Sequence, residues 1–194
     1  MAISPATCGA VILAGGASRR MGRCKALLPV DGQTMLERTR ALLTDFDEIL
    51  LSANDPALES DLPRVADRWP DSGPLAGLHA ALCRTRKSAL LCLPCDLPNL
   101  SPAVPRLLLQ AMPEEVDVLI CRDSTGRLHP LCGIYRTAVL PVLEDCLRRG
   151  EHRVMAYVTR LPYAYADTGG IVPDEVFFNM NTPEDYRLAT ETCR

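Results

Sequence analysis

Three groups of residues in the chain carry side chains whose chemistry goes beyond packing. The first is the stretch Leu13 to Lys25, LAGGASRRMGRCK, in which Gly15 and Gly16 are closely followed by Arg19, Arg20, Arg23 and Lys25. Glycine lets backbone N–H groups approach a ligand, and clustered cations neutralise anionic oxygens, so this stretch suits a phosphate-rich molecule. The second is Asp96, which closes an apolar run. A hard cation such as Mg2+ prefers carboxylate together with phosphate oxygens and water, so one acid placed there is chemically sufficient. The third is NMNTPED at 179–185, where Asn179 and Asn181 flank Met180 and would face the same side of an extended strand end. Each group also has a plainer reading. The glycines could make only a tight turn beside a solvated basic face, Asp96 could be a turn carboxylate ahead of LPNLS, and Asn181 with Thr182 could simply organise the entry to a helix.

The elements that must position these residues are short apolar runs alternating with helix-like segments, the pattern of a parallel sheet covered by helices on both faces. CGAVIL (8–13), EILLSAN (48–54), SALLCLPCD (88–96), VDVLIC (116–121), LHPLCGIYR (128–136) and VFFNM (176–180) read as strands. TMLERTRALL (34–43) sets Met35, Leu36, Thr39, Leu42 and Leu43 on one helical stripe, and PLAGLHAALC (74–83) sets Leu75, Leu78 and Leu82 on another. Ser101 with Pro102 opens a further helix, TAVLPVLEDCLRRG tolerates Pro141 near its start and closes at Gly150, and Thr182 with Pro183 opens the last one. No repeat, low-complexity tract or linker divides the chain, so residues 1–194 are expected to form one domain.

Composition narrows the ligand. The 194 residues are 47% hydrophobic and 23% charged with a net charge of −3, an ordinary globular balance with no general attraction to nucleic acid or anionic membrane. The basic cluster is therefore local, and a small anionic ligand fits it better than a polymer. Nine scattered cysteines suggest a reducing compartment, and the lack of a basic leader or a long apolar run leads us to expect a cytoplasmic protein. Cys92 and Cys95 form a C-x-x-C without a second such pair, which favours buried thiols over zinc or redox chemistry.

The loop follows a predicted strand, as phosphate loops do, but it fits neither common glycine signature. It has no G-x-G-x-x-G, and five residues separate Gly16 from Gly22, with Lys25 three positions further on, where a Walker loop needs four and an immediate Lys-Ser/Thr. What it resembles is the L-A-G-G-x-S-x-R-M-G-x-x-K signature of nucleotidyltransferases, met here by Leu13, Ala14, Gly15, Gly16, Ser18, Arg20, Met21, Gly22 and Lys25. Together with GPLAG (73–77), PCDLP (94–98) and N-x-N-T-P-E-D (179–185), the chain resembles the molybdenum cofactor guanylyltransferases over nearly its whole length.

That resemblance implies a Rossmann-like three-layer α/β sandwich with a mostly parallel central sheet. It implies an enzyme in which the terminal phosphate of molybdenum-bound molybdopterin attacks the α-phosphorus of Mg-GTP and pyrophosphate leaves. Arg20 and Lys25 would offset charge on the leaving group, and Asp96 would hold Mg2+. Leu13, Ala14, Gly15, Gly16, Gly22, Gly73, Pro74, Leu75 and Gly77 would surround the nucleotide, and Asp67 matches a position that contacts it. Ser52 stands where the family often has Asn, so a base contact there falls to Ser52, to Asn54, or is lost. Asn179, Asn181 and Arg153 would face the acceptor, and His129 could touch its pterin end. Related cytidylyltransferases carry L-A-A-G where this chain has L-A-G-G, and glycine in place of that alanine favours GTP over CTP. The resemblance also brings in a molybdenum-insertion protein and molybdoenzyme chaperones as partners. Two other readings stay open: a nucleotidyltransferase using CTP or another acceptor phosphate, and a non-catalytic nucleotide-binding protein that delivers cofactor.

Overall fold

The computed structural model describes residues 3–15 and 24–192. Gly16, Ser18, Arg19, Arg20, Met21, Gly22 and Arg23, on which part of the phosphate-loop expectation falls, lie outside the described residues.

In chain order the elements are β1 (Cys8–Leu13), β2 (Pro29–Val30), β3 (Gln33–Thr34), α1 (Met35–Ala41), β4 (Ile49–Ser52), β5 (Arg64–Val65), α2 (Pro74–Arg84), β6 (Ala89–Pro94), α3 (Ala103–Ala111), β7 (Val118–Arg122), β8 (Leu128–Arg136), α4 (Leu140–Arg148), α5 (Val154–Val158), β9 (Tyr163–Asp167) and α6 (Pro183–Thr192). Seven strands form one sheet in the order β5-β4-β1-β6-β8-β7-β9. Every neighbouring pair is parallel except the two made by β8, which runs against both β6 and β7. The sheet is thus mostly parallel, with one reversed strand.

The strands at its centre are apolar on both sides because helices cover both faces. Ala10 and Ile12 of β1 pack with Leu91 and Leu93 against α1 and α3 through Leu36, Val104 and Leu108. The alternate residues Val11 and Leu13, with Leu90 and Cys92, pack against α2, α4 and α5 through Leu78, Leu143 and Tyr157. Thr34 caps α1 in a capping box with Glu37, Pro141 sits in the first turn of α4, and Gly150 follows α4 with φ 71°. Helix α3 begins one residue later than expected, with Ser101 Oγ accepting from the Ala103 N–H at 3.2 Å.

One expected strand is absent. VFFNM is not extended pairing backbone: a 3-10 turn covers Asp174–Phe177 and irregular chain follows. Val176 and Phe177 are both buried, so two consecutive side chains enter the same core, which the alternation of a strand forbids. Packing overrides the β-forming character of the residues there.

A third, small cluster matters more to the site than its size suggests. Leu28, Val30, Met35, Met180 and Ala189 are buried together, with Phe178 and Tyr186 against them, and the Tyr186 hydroxyl donates to the Pro29 carbonyl at 2.9 Å. The β2–β3 hairpin turns on Asp31 and Gly32, both at positive φ, and so returns the chain from Lys25 toward α1. The segment after Lys25 and the segment around Met180, far apart in sequence, are held side by side.

Candidate functional site at the carboxyl edge of the sheet

The strand register explains why residues scattered over the sequence meet. Val65, Ser52, Leu13 and Pro94 form one row across β5, β4, β1 and β6. Two residues beyond that row, on the same four chains, stand Asp67, Asn54, Gly15 and Asp96. The row lies at the carboxyl ends of parallel strands, the edge where ligands of open α/β sheets collect. The Ala14 N–H donates to the Ser52 carbonyl at 2.8 Å and the Cys95 N–H to the Leu13 carbonyl at 3.1 Å, which continues the ladder for one step past the strands.

Asp96 lies in a cleft of about 250 Å3 lined by Leu13, Ala14, Gly15, Lys25, Pro74, Asp96, Leu131 and Asn181 among others. Lys25 Nζ is 3.9 Å from Asp96 Oδ2 and donates to Asn181 Oδ1 at 2.7 Å. The Met180 N–H donates to the Asp96 carbonyl at 2.9 Å, and burial of Met180 leaves the flanking Asn179 and Asn181 to turn toward the aspartate. The Asn179 side chain favours the charged form of the Asp96 carboxyl. Asn181 is fixed in turn by Asp185, whose Oδ2 accepts from the N–H groups of both Asn181 and Thr182 at 2.8 Å.

The electrostatic balance at Asp96 is unusual for an acid beside a lysine. Two unit charges at this separation attract by about 4 kcal/mol at an effective dielectric constant of about 20. The Asp96 carboxyl nevertheless sits above its usual range: burial raises it most, and Lys25 and the Asn179 side chain lower it without cancelling the rise. Its Oδ1 is buried and has no hydrogen-bond partner. A carboxylate oxygen so placed fits a divalent cation, which would supply the missing positive charge.

At the other end of the row, Asn54 Nδ2 donates to Asp67 Oδ2 at 2.7 Å, while Asp67 Oδ1 is buried without a partner. Ser52 is turned to packing: a Cβ on Gly77 would stand 2.2 Å from Ser52 Oγ, so glycine lets α2 lie against β4 here. Gly73, with φ 61°, and Pro74 at the first turn bring the N-terminus of α2 to the edge beside Gly15, and Leu75 is buried beneath it.

Arg153 stands apart. It precedes α5, its carbonyl accepts the Tyr157 N–H at 3.2 Å, and it is exposed and does not line the cleft. His129 bonds Asp123 Oδ2 at 2.8 Å and stacks on Phe177 with ring centroids 3.9 Å apart. Cys92 and Cys95 are buried free thiols whose pKa values are raised by desolvation. Leu131 is the lining residue that the sequence reading missed. It reaches the cleft only because β8 is antiparallel to β6, and no local signal in LHPLCGIYR reveals that direction.

A largely parallel α/β sheet, with a lysine, a partner-poor carboxylate and a helix N-terminus gathered at its carboxyl edge, is the architecture of nucleotide-handling domains. The profile of the MobA-like NTP transferase domain matches residues 10–164, and the chain belongs to that family. It is 36% identical to the probable molybdenum cofactor guanylyltransferase of Pelotomaculum thermopropionicum, an alignment covering 95% of this chain and 94% of that protein. The molybdopterin-guanine dinucleotide biosynthesis protein A of Archaeoglobus fulgidus superimposes with a TM-score of 0.80 at 23% identity, over 95% of this chain and 98% of that one. Rv0371C of Mycobacterium tuberculosis H37Rv, solved in complex with manganese, superimposes with a TM-score of 0.69 at 24% identity, over 98% of this chain and 100% of that one. No helix among the described residues is long and apolar enough to cross a membrane.

Proposed function

We propose that the chain is a molybdenum cofactor guanylyltransferase, which transfers GMP from GTP to molybdenum-bound molybdopterin. The observation that carries this reading is the row Asp67, Asn54, Gly15 and Asp96, with an unpartnered carboxylate oxygen at each end and Lys25 beside one of them. In the reaction a phosphate oxygen of molybdopterin forms a bond to the α-phosphorus of GTP, the bond from that phosphorus to the bridging oxygen breaks, and pyrophosphate leaves with the electron pair.

Such a transfer asks the protein mainly for alignment and charge neutralisation. Backbone N–H groups at Gly15 and Gly16 would cradle the phosphates, and Lys25 with Arg20 would offset charge growing on pyrophosphate. Asp96 would hold a divalent cation, which we take to be Mg2+. Such a cation would supply Lewis-acid polarisation of the phosphates and charge neutralisation. The manganese held by the mycobacterial neighbour supports a divalent cation in this fold. Asp67, steadied by Asn54, would accept the N–H donors of a guanine edge or the ribose hydroxyls. Asn179 and Asn181 place amides beside Asp96, where the acceptor phosphate must arrive. A cytoplasmic location suits the unpaired cysteines, and a molybdenum-insertion protein and molybdoenzyme chaperones are the partners such a reaction calls for.

Incubation with Mg-GTP and molybdenum-loaded molybdopterin should yield a product heavier than the acceptor by one GMP unit, read by mass spectrometry. A CMP adduct formed from CTP in its place, or no adduct with either nucleotide, would overturn the proposal.

A further inference from the structure

Helices α2 and α4 lie on the same face of the sheet, and between them His79, Cys83 and Glu144, none of which lines the cleft at Asp96, bring three different metal-ligating atoms together. Among the described residues this is the one group of three or more His, Cys, Asp and Glu side chains whose ligand atoms lie within 4.8 Å of one another. His79 and Cys83 are four residues apart on α2 and so share a helical face, while Glu144 comes from α4. His79 Nε2 is 3.2 Å from Glu144 Oε1 and 3.6 Å from Cys83 Sγ.

Those separations can be compared with a coordination sphere. With ordinary bond lengths, a tetrahedral Zn2+ places a thiolate sulfur and an imidazole nitrogen ~3.6 Å apart and an imidazole nitrogen and carboxylate oxygen ~3.3 Å apart. The observed distances match both without movement of the helices. The imidazole is fixed before any ion arrives, since only 3% of the His79 side chain is exposed, and its Nδ1 is buried with no hydrogen-bond partner. Glu144 and Cys83 reach solvent, which leaves an entry path and a fourth position for water. Burial raises the Cys83 thiol most, while Arg68 lowers it and Glu144 raises it.

We propose that His79, Cys83 and Glu144 form a zinc site that ties α2 to α4, separate from the cation held at Asp96. Binding would form Zn–N, Zn–S and Zn–O bonds at Nε2, Sγ and Oε1. The thiol proton would leave to solvent and the imidazole proton would move to Nδ1. Because α2 also carries Gly73 to Gly77 to the nucleotide edge, the ion would brace that helix from behind.

The test reads Cys83 itself. Iodoacetamide labelling of the full chain, followed peptide by peptide, should slow about tenfold at Cys83 when free zinc is ten times its Kd, while labelling of Cys24 by the cleft stays unchanged. In Glu144→Gln the protection should be lost. Cobalt should give a thiolate charge-transfer band that is missing from Cys83→Ser. It should also quench Trp69, the single tryptophan, whose ring meets His79 edge-on at 6.4 Å. Unchanged labelling with zinc, protection that survives in Glu144→Gln, or a cobalt band that persists in Cys83→Ser would each overturn the proposal.

Discussion

Asp96 and Asp123 are two aspartates shielded from solvent that have been satisfied in opposite ways. By surface area Asp123 is the more covered, with 7% of its side chain exposed against 23% for Asp96. Yet the Asp123 carboxyl is held well below the usual range, while that of Asp96 is pushed above it. Asp96 lies deeper among protein atoms and desolvation is the largest cause there, whereas hydrogen bonding dominates at Asp123. The Thr125 hydroxyl is the largest cause at Asp123, and the His129 ring and the N–H groups of Arg127 and Thr125 add to it. Asp96 has Lys25, its own backbone N–H and the Asn179 side chain against its burial, and an oxygen without a partner. The saturated aspartate closes a hairpin turn; the starved one is the residue we propose holds a cation.

This contrast can be broken first at the two aspartates themselves. Asp96→Ala should lower turnover about a thousandfold. Asp96→Asn should be as inactive while melting at or above the wild-type temperature, because it removes a poorly solvated charge. Asp123→Asn should do the reverse, keeping turnover and losing about 2 kcal/mol in urea denaturation. An active Asp96→Asn enzyme would erase the distinction. Lys25→Ala should cost about a hundredfold in kcat/KM for GTP, since it takes away the cation nearest Asp96. Unchanged kinetics would remove Lys25 from the phosphate role. At the far end of the row, Asp67→Asn should raise KM for GTP about tenfold with kcat retained, and Asn54→Ala should add little to it because the two residues act as one contact.

The pH dependence of stability should separate the same pair with a smaller effect. Asp96 has a folded-state pKa above its unfolded value, so its contribution falls as pH rises from the ordinary carboxylate range to the raised one. The contribution of Asp123 is fully present above the ordinary range and is lost as pH falls below about 4. Melting curves of wild type, Asp96→Asn and Asp123→Asn across that range should show the two slopes vanish separately. A slope that survives in its own variant would assign it elsewhere.

Much of this was legible in the sequence, for identifiable reasons. The central strands are continuous apolar runs because both faces are covered, and the helix entry expected at Thr182 carries its capping bond. Asp96 and Gly15 could be placed at the carboxyl edge because each follows a buried strand directly. What could not be read depends on long-range pairing. The strand expected at VFFNM gives way to a packed turn, because Met180 is drawn into a cluster with Leu28 and Val30 from the other end of the chain. The Asn54–Asp67 bond follows from the β4–β5 register, and β5 is only two residues long. The hairpin at Asp31-Gly32 did carry a local signal, the Asp-Gly pair itself, though not the partner it would bring to Lys25.

The central claim is that the unpartnered oxygen of Asp96 is held for a divalent cation that accompanies GTP. Electron paramagnetic resonance of Mn2+, displaceable by Mg2+ and titrated with GTP present, measures this directly. Wild type and Asp123→Asn should bind one such ion, and Asp96→Asn, with its fold intact by circular dichroism, should lose it. Equal nucleotide-dependent Mn2+ binding by Asp96→Asn and wild type would contradict the account.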